Sequence, residues 1–401
     1  MALLLFLVAL AASAAIPAAG DGNAPDDGKR TPPMGFNTWC TNSTCGHDVC
    51  TESEVRSVAQ ALLDSGLASI GYTHVDLDDC WENSSRDAEG RIQADPSRFP
   101  SGMPALSAWL HARNLSFGIY TSLGVTVCNL GGHATHPLGS YGHEVSDAAT
   151  FASWGADVVK GDWCDPPPNA TKQALTSTMA AAIAQTGRPT WFYFHCDGSW
   201  APWCPTLGQS SRVAPDHCDG WSGAACPLSK SKGHGTGDVI AALRTVGAHS
   251  GLQPGGEYWI ADWDLMMIGG QACNDTDPHG CAGQTDVEYR TEFTFWALAG
   301  SPLLLATDPR ALTPIMREVL FNTELIAVNQ DPTPRAAMGV VYVRDAACGG
   351  AVPCEVWARP PGADGAHYAI LFNPNALNTT PVAIAMTWAY RARRQLAPPT
   401  H

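Results

Sequence analysis

Between Pro33 and Val328, short apolar runs alternate with segments of helical periodicity, and the alternation repeats eight times. The strand-like runs are Pro33–Trp39, Tyr72–Asp78, Ser116–Tyr120, Val158–Val159, Trp191–Phe194, Ser211–Val213, Tyr258–Ile260 and Pro302–Leu305. Glu52–Leu63, Pro104–Ala112, Val145–Trp154, Gln173–Gln185, Asp238–Ala248, Val287–Leu298 and Glu318–Val328 carry apolar residues at helical spacing between and after them. Eight strand–helix units in sequence predict an α/β fold, a (β/α)₈ TIM barrel over residues 30–335, rather than an open sheet.

In such a barrel, side chains at the C-terminal strand ends face the active-site mouth. Carboxylates fall there repeatedly, at Asp78, Asp162, Asp197, Asp216, Asp264 and Asp308. The stretch Val158-Val159-Lys160-Gly161-Asp162-Trp163-Cys164 is the sharpest case. A buried β-branched run ends in an ammonium and then a carboxylate, and a neighbouring positive charge favours the ionised form that a nucleophile needs. An isolated Lys-x-Asp reads as a surface ion pair; its place among other strand-end acids gives it a chemical reading.

Net charge excludes one class of partner. The chain of 401 residues carries a formal charge of −15 and no basic run, whereas phosphate backbones require clustered Lys and Arg. No Gly-rich phosphate loop opens any helix, and no cofactor or metal is expected. Residues 1–19 read as a signal peptide, with an apolar run and the small-residue site Ala12-Ser13-Ala14. The 14 cysteines and the sequons at Asn42, Asn83, Asn114, Asn169, Asn274 and Asn378 agree with export. The expected location is outside the cell, or a lysosome or vacuole, with no membrane contact once the leader is removed. From Gly339 to His401 short β-like runs at 340–343, 355–358 and 369–372 predict a small antiparallel β domain, short for a self-sufficient sandwich.

An ordered set of motifs carries a resemblance. Pro33-Met34-Gly35-Phe36-Asn37-Thr38-Trp39, Asp78-Asp79-Cys80-Trp81, Phe99-Pro100-Ser101-Gly102-Met103, Gly118-Ile119-Tyr120, Lys160-Gly161-Asp162-Trp163-Cys164, Arg212-Val213-Ala214-Pro215-Asp216 and Ile326-Ala327-Val328-Asn329-Gln330-Asp331 resemble the melibiase-type α-galactosidases. That family also holds α-N-acetylgalactosaminidases and some β-L-arabinopyranosidases. The resemblance implies an exo-acting retaining glycosidase for an α-galactoside-containing carbohydrate, and it allows a homodimer. It makes Asp162 the nucleophile and Asp216 the acid/base, whose pKa must be raised for it to protonate a leaving group. It makes Trp39, Asp78, Asp79, Tyr120, Lys160, Asp197, Arg212 and Asp264 sugar-binding residues, with Lys160 holding Asp162 in its charged form. It implies disulfides Cys128–Cys164 and Cys45–Cys80, Cys80 meeting the Cys40/Cys45/Cys50 cluster. Proximity alone suggests Cys273–Cys281 and Cys348–Cys354; Cys196, Cys204, Cys218 and Cys226, with His195 and His217 nearby, could form a zinc site, but they lack a CxxC pair and read as disulfides.

Three departures from the family pattern stand out. Extra residues precede Asp262-Trp263-Asp264, and Trp263 replaces a proline, which bears on the position of Asp264. Gly161 replaces a bulky residue beside the nucleophile. Asp197-Gly198-Ser199 begins with an acid, which favours a free 2-hydroxyl over an acetamide. The competing expectations are a sister specificity, for N-acetylgalactosaminide or β-L-arabinopyranoside, and a catalytically silent carbohydrate-binding homologue.

Overall fold

The computed structural model describes residues 31–39, 50–128, 138–196, 201–222, 234–246, 251–252, 258–270, 283–331, 339–343, 354–359, 362 and 365–374. Strands β1 (Met34–Asn37), β2 (His74–Leu77), β3 (Ser116–Ser122), β4 (Val158–Asp162), β5 (Trp191–His195), β6 (Ser210–Arg212), β8 (Tyr258–Asp262) and β9 (Leu303–Leu305) are parallel, each hydrogen-bonded to the next. β9 returns to β1, and Met266, just past β8, bridges Leu305 of β9, so the sheet curls into a closed ring. The eight-stranded barrel expected from the alternation is present. One strand was not expected: β7 (Gly251–Leu252) runs antiparallel to β8.

Helices follow their sequence signals closely. α1 (Glu52–Asp64) starts where the Thr51 side chain accepts from the Glu54 amide, and it buries Val55, Val58, Ala59 and Leu62 at helical spacing. α2 (Met103–His111), α3 (Glu144–Ser153), α4 (Lys172–Gln185) and α5 (Thr236–Val246) lie close to their expected spans. α6 (Asp286–Ala299) opens with a Thr285/Glu288 capping box and ends at Gly300 with φ +66°. The single helix expected over Glu318–Val328 is instead two, α7 (Pro314–Leu320) and α8 (Thr323–Gln330). Asn322 breaks it, because its side chain accepts from the Leu325 amide and starts a new helix.

β10 (Gly339–Val343), β11 (Cys354–Ala358) and β12 (Ala369–Phe372) form the antiparallel sheet expected after the barrel; residues 375–401 lie outside the described residues. This sheet docks on α6: Phe295 meets Trp357 and Phe372 edge-on at 5.2 and 5.4 Å. Arg359 adds a donor to the Val328 carbonyl at 2.7 Å and an ion pair with Asp331.

Inside the ring, space is tight enough that one residue must lack a side chain. A Cβ on Gly118 would lie 2.0 Å from Asp76 Oδ1. Gly118→Ala therefore forces Asp76 aside and should cost about 1–3 kcal/mol, read as a lower urea midpoint with an unchanged m-value.

Candidate active site

β4 brings Lys160 and Asp162 to one face, since side chains two apart in a strand point the same way. Asp162 accepts from the Trp163 amide at 2.6 Å on Oδ1 and from the Tyr120 hydroxyl at 3.1 Å on Oδ2. These donors fix its carboxylate plane at the mouth. Tyr120 arrives through the β3–β4 register, which places it beside Lys160. Trp81 Nε1 donates to the Tyr120 carbonyl and ties the β2 loop to the same wall. Gly161, between the two polar residues, faces outward; a Cβ there would lie 3.0 Å from Phe192 and 3.1 Å from Leu123.

The floor is built on β1 and β2. Lys160 Nζ donates to Asp78 Oδ2 at 2.6 Å, Asn37 Nδ2 donates to the same oxygen at 2.8 Å, and the Asp79 amide caps Oδ1. Lys160 is thus hydrogen-bonded to Asp78, while its charge also bears on Asp162 as expected. Burial opposes its charge; Asp78 and then Asp162 more than compensate, and its pKa lies above the ordinary value. Removing either member of this buried pair should cost about 3–5 kcal/mol, because the survivor is left charged and dry. Trp39 packs over Leu265, Met267, Leu304 and Ala306, with the Lys160 ammonium 6.0 Å from its ring centroid. Asp79 is buried beside Glu82, whose carboxyl is pushed up by burial and then by Asp79.

Arg212 organises the opposite wall. Its Nη2 donates to Asp216 Oδ1 at 3.0 Å and to the Ala214 carbonyl at 3.2 Å, and lies 2.9 Å from Asp264 Oδ2. Asp264 is therefore in the site. It sits at φ +81°, a conformation that costs a non-glycine residue of order 1–3 kcal/mol. Donors from the His217 amide to its side chain, from its own amide to Asp262 Oδ1 and from Trp296 Nε1 to its carbonyl hold it there. Trp263 takes no part in the pocket: it is fully buried against Trp296.

Electrostatics separate the carboxylates. Burial raises Asp264, Arg212 opposes this, and the pKa settles at about 6. Asp216 goes the other way. Burial pushes it up, but the charge and hydrogen bond of Arg212 oppose burial and the repulsion of Asp162, and it lies below its ordinary value. The raised pKa expected of the acid is not found here, because its side chain is half exposed and hydrogen-bonded to a guanidinium.

Cys128–Cys164 forms as the resemblance implies, with Cys128 Sγ 3.8 Å from Asp162 Oδ2. Cys128, Asp162 and Cys164 have ligand-type atoms close together, yet the two sulfurs are bonded to each other and present no thiolate. Cys80 pairs with Cys50, not with Cys45. Cys50 precedes α1 and is fully buried, which brings it to the β2 end, whereas Cys45 lies outside the described residues. Cys196–Cys204 closes a local loop, and Cys218 and Cys354 are also disulfide-bonded. Cys273 and Cys281 lie outside the described residues, as does Asp197. Asp308 is not in the pocket: it caps a short 3₁₀ turn and pairs with Arg310.

Sequence reasoning passes over His195, Asn37 and Asp262. It weighs His195 only as a zinc ligand, although the place of this residue beside Cys196 at the end of β5 marks it as a mouth residue. Its Nε2 lies 3.5 Å from Asp162 and 3.4 Å from Arg212.

A barrel whose C-terminal mouth holds an ordered carboxylate, a half-exposed carboxylate and a buried polar floor suits a glycoside hydrolase. A melibiase profile described as Alpha galactosidase A matches residues 31–224 and 259–331. Alpha-galactosidase A of Cellvibrio japonicus (strain Ueda107) is 36% identical over 347 residues, 86% of this chain and 76% of its own. The alpha-galactosidase of Cyamopsis tetragonoloba is 34% identical over 357 residues, 88% and 75% of the two chains. Among solved structures, alpha-galactosidase I from Mortierella vinacea superposes with a TM-score of 0.71 at 28% identity, covering 87% of this chain and 83% of that one. The Saccharomyces cerevisiae alpha-galactosidase solved with raffinose gives 0.69 at 25% identity, covering 86% and 74%. The chain belongs to the melibiase-type α-galactosidase family.

Buried acids leave a mark on stability. Burial, the largest cause in each, raises Asp76 to about 7 and Glu292 to about 8, and lowers His74 and His217 to about 4. The histidines favour the folded state increasingly as pH rises from about 4 to 6.5, and above that they are neutral in both states. The acids hold protons in the folded state that the unfolded chain has lost, so their contribution falls as pH rises through about 7 and 8. The melting temperature should therefore drop by a few degrees between pH 6.5 and 8.5, and Glu292→Gln should flatten that slope.

Proposed function

We propose that this chain is an exo-acting retaining α-galactosidase that releases terminal α-linked galactose from oligosaccharides or glycoconjugates by double displacement. One observation carries the reading: an ordered, mostly buried carboxylate on β4 shares the barrel mouth with a half-exposed carboxylate on the Arg212 arm. Asp162 attacks the anomeric carbon as the glycosidic C–O bond breaks, while Asp216 gives its proton to the departing oxygen. Water then delivers its oxygen to the anomeric carbon and a proton to Asp216, and Asp162 is released. Asp78, Asp79 and Lys160 supply acceptors and a donor for sugar hydroxyls, and Trp39 offers an apolar face. The acid at position 197 of the sequence, which the resemblance assigns to the sugar's 2-position, favours galactose over its N-acetylamino relative. The disulfides Cys50–Cys80 and Cys128–Cys164 and the exposed sequons Asn114 and Asn169 fit a secreted, lysosomal or vacuolar protein.

The raffinose held by the yeast relative makes a small α-galactosyl oligosaccharide the first natural substrate to try. Hydrolysis of p-nitrophenyl α-galactoside is measured beside the α-N-acetylgalactosaminide and the β-L-arabinopyranoside. Turnover confined to the α-galactoside, abolished in Asp162→Asn with galactose binding retained, is the expected result. Wild-type turnover in that variant would remove Asp162 as nucleophile; turnover of none of the three by folded wild type would favour a silent binding protein. Asp216→Asn should lose about 10²–10⁴-fold on substrates with poor leaving groups and much less on activated ones.

The low pKa of free Asp216 gives a separate expectation. Activity falls as pH rises through the pKa of the acid, and a bound sugar that strips water from Asp216 raises that pKa. The basic limb of kcat/KM, which reports the free enzyme, should therefore lie at lower pH than the basic limb of kcat. Coincident limbs would show that sugar binding does not retune Asp216.

A further inference from the structure

His195 closes β5 and has no part in the chemistry described above. The parallel register sets it beside Arg212, and its ring is 19% exposed, within the wall of the mouth. One ring nitrogen, Nε2, faces two groups of opposite charge: Arg212 Nη1 at 3.4 Å and Asp162 Oδ1 at 3.5 Å. It can satisfy only one of them at a time. Without a proton, Nε2 accepts from the guanidinium; with a proton, it donates to the carboxylate. The Arg212 contact has hydrogen-bond geometry, and a guanidinium can only donate, so this contact is satisfied in the first arrangement.

The charged groups bearing on the ring come from each neighbouring element: Arg212 on β6, Lys160 and Asp162 on β4, Lys172 on α4, and Asp216 beyond β6. Burial first, then Arg212, Lys160 and Lys172, outweigh Asp216 and keep the imidazole neutral well below its ordinary range. Arg212 in turn holds Asp216, Asp264 and the Ala214 carbonyl through Nη2. A partner on Nη1 stops the guanidinium from swinging about that second nitrogen.

Building on the glycosidase reading, we propose that His195 is a positioning residue with two settings: unprotonated, it aligns Arg212 and leaves the charge of Asp162 intact; protonated, it pairs with Asp162 and releases Arg212. The first setting keeps Asp216 aimed at the leaving oxygen. The second blunts the nucleophile and loosens the acid together. Only a proton from solvent is exchanged between them.

Two variants test this, with kcat and KM for p-nitrophenyl α-galactoside followed across pH. His195→Leu removes the acceptor, and it should lower kcat about 10- to 100-fold, the scale of a small misplacement of catalytic groups, with KM changed less than about 3-fold. His195→Gln sets a non-titrating amide oxygen near the place of Nε2. It should recover most of the lost kcat, and its acid limb should lie at lower pH than that of wild type. Wild-type kcat in His195→Leu, a His195→Gln no better than His195→Leu, or an unmoved acid limb would each overturn the proposal. If His195→Leu does not fold, as judged by its melting transition, the acid limb of His195→Gln decides alone. Wild type inactive on every glycoside refutes the glycosidase reading and this role with it; an active wild type with indifferent variants refutes His195 only.

Discussion

The guanidinium of Arg212 is the contact on which the mouth of the barrel depends. It is almost fully buried, and a buried cation is tolerated only when its charge is matched. Asp264, Asp216 and Asp262 match it, in that order of effect, and it remains charged. In return it helps hold together the β6 arm and the segment after β8, which also meet through the His217 amide on Asp264 Oδ2 at 2.7 Å. The strained backbone of Asp264 persists because this ion pair and three further hydrogen bonds over-determine it.

A second ion pair, Lys160 with Asp78, does the same across the opposite wall, joining β4 to β2 through the interior of the ring. The two pairs divide labour. Lys160–Asp78 is sealed at the floor and contributes a fixed polar surface for hydroxyl groups. Arg212 sits beneath a half-exposed carboxylate and so tunes a group that water, and a sugar, can reach. His195 and Asp162 lie between these two systems, so the nucleophile is bordered by both cations.

Much of the fold is legible in the sequence alone. Alternation of period-two and helical segments is a local property, and caps such as Thr51 and the Thr285/Glu288 box are local too. Sequence and structure part where local signals compete or distant ones decide. Asn322 could continue a helix or cap a new one, and it caps. Cys45 and Cys50 are equally plausible partners for Cys80 by spacing; the entry of α1 selects Cys50. Asp308 resembles the other strand-end acids in sequence but bends away to cap a turn.

By itself the sequence determined the ring of eight strands, the place of most helices and most of the acids at strand ends, because hydrophobic periodicity acts over a few residues. It also singled out Asp162 and Asp216 through motif order. Tertiary structure alone decided what each charge touches: that Lys160 bonds Asp78, that Arg212 lowers Asp216 while Asp264 stays high, and that His195 stands between guanidinium and carboxylate. Those outcomes depend on strand register and burial, and both are set by residues far apart in the chain. An electrostatic environment is a sum over everything nearby in space, and sequence distance carries little information about it.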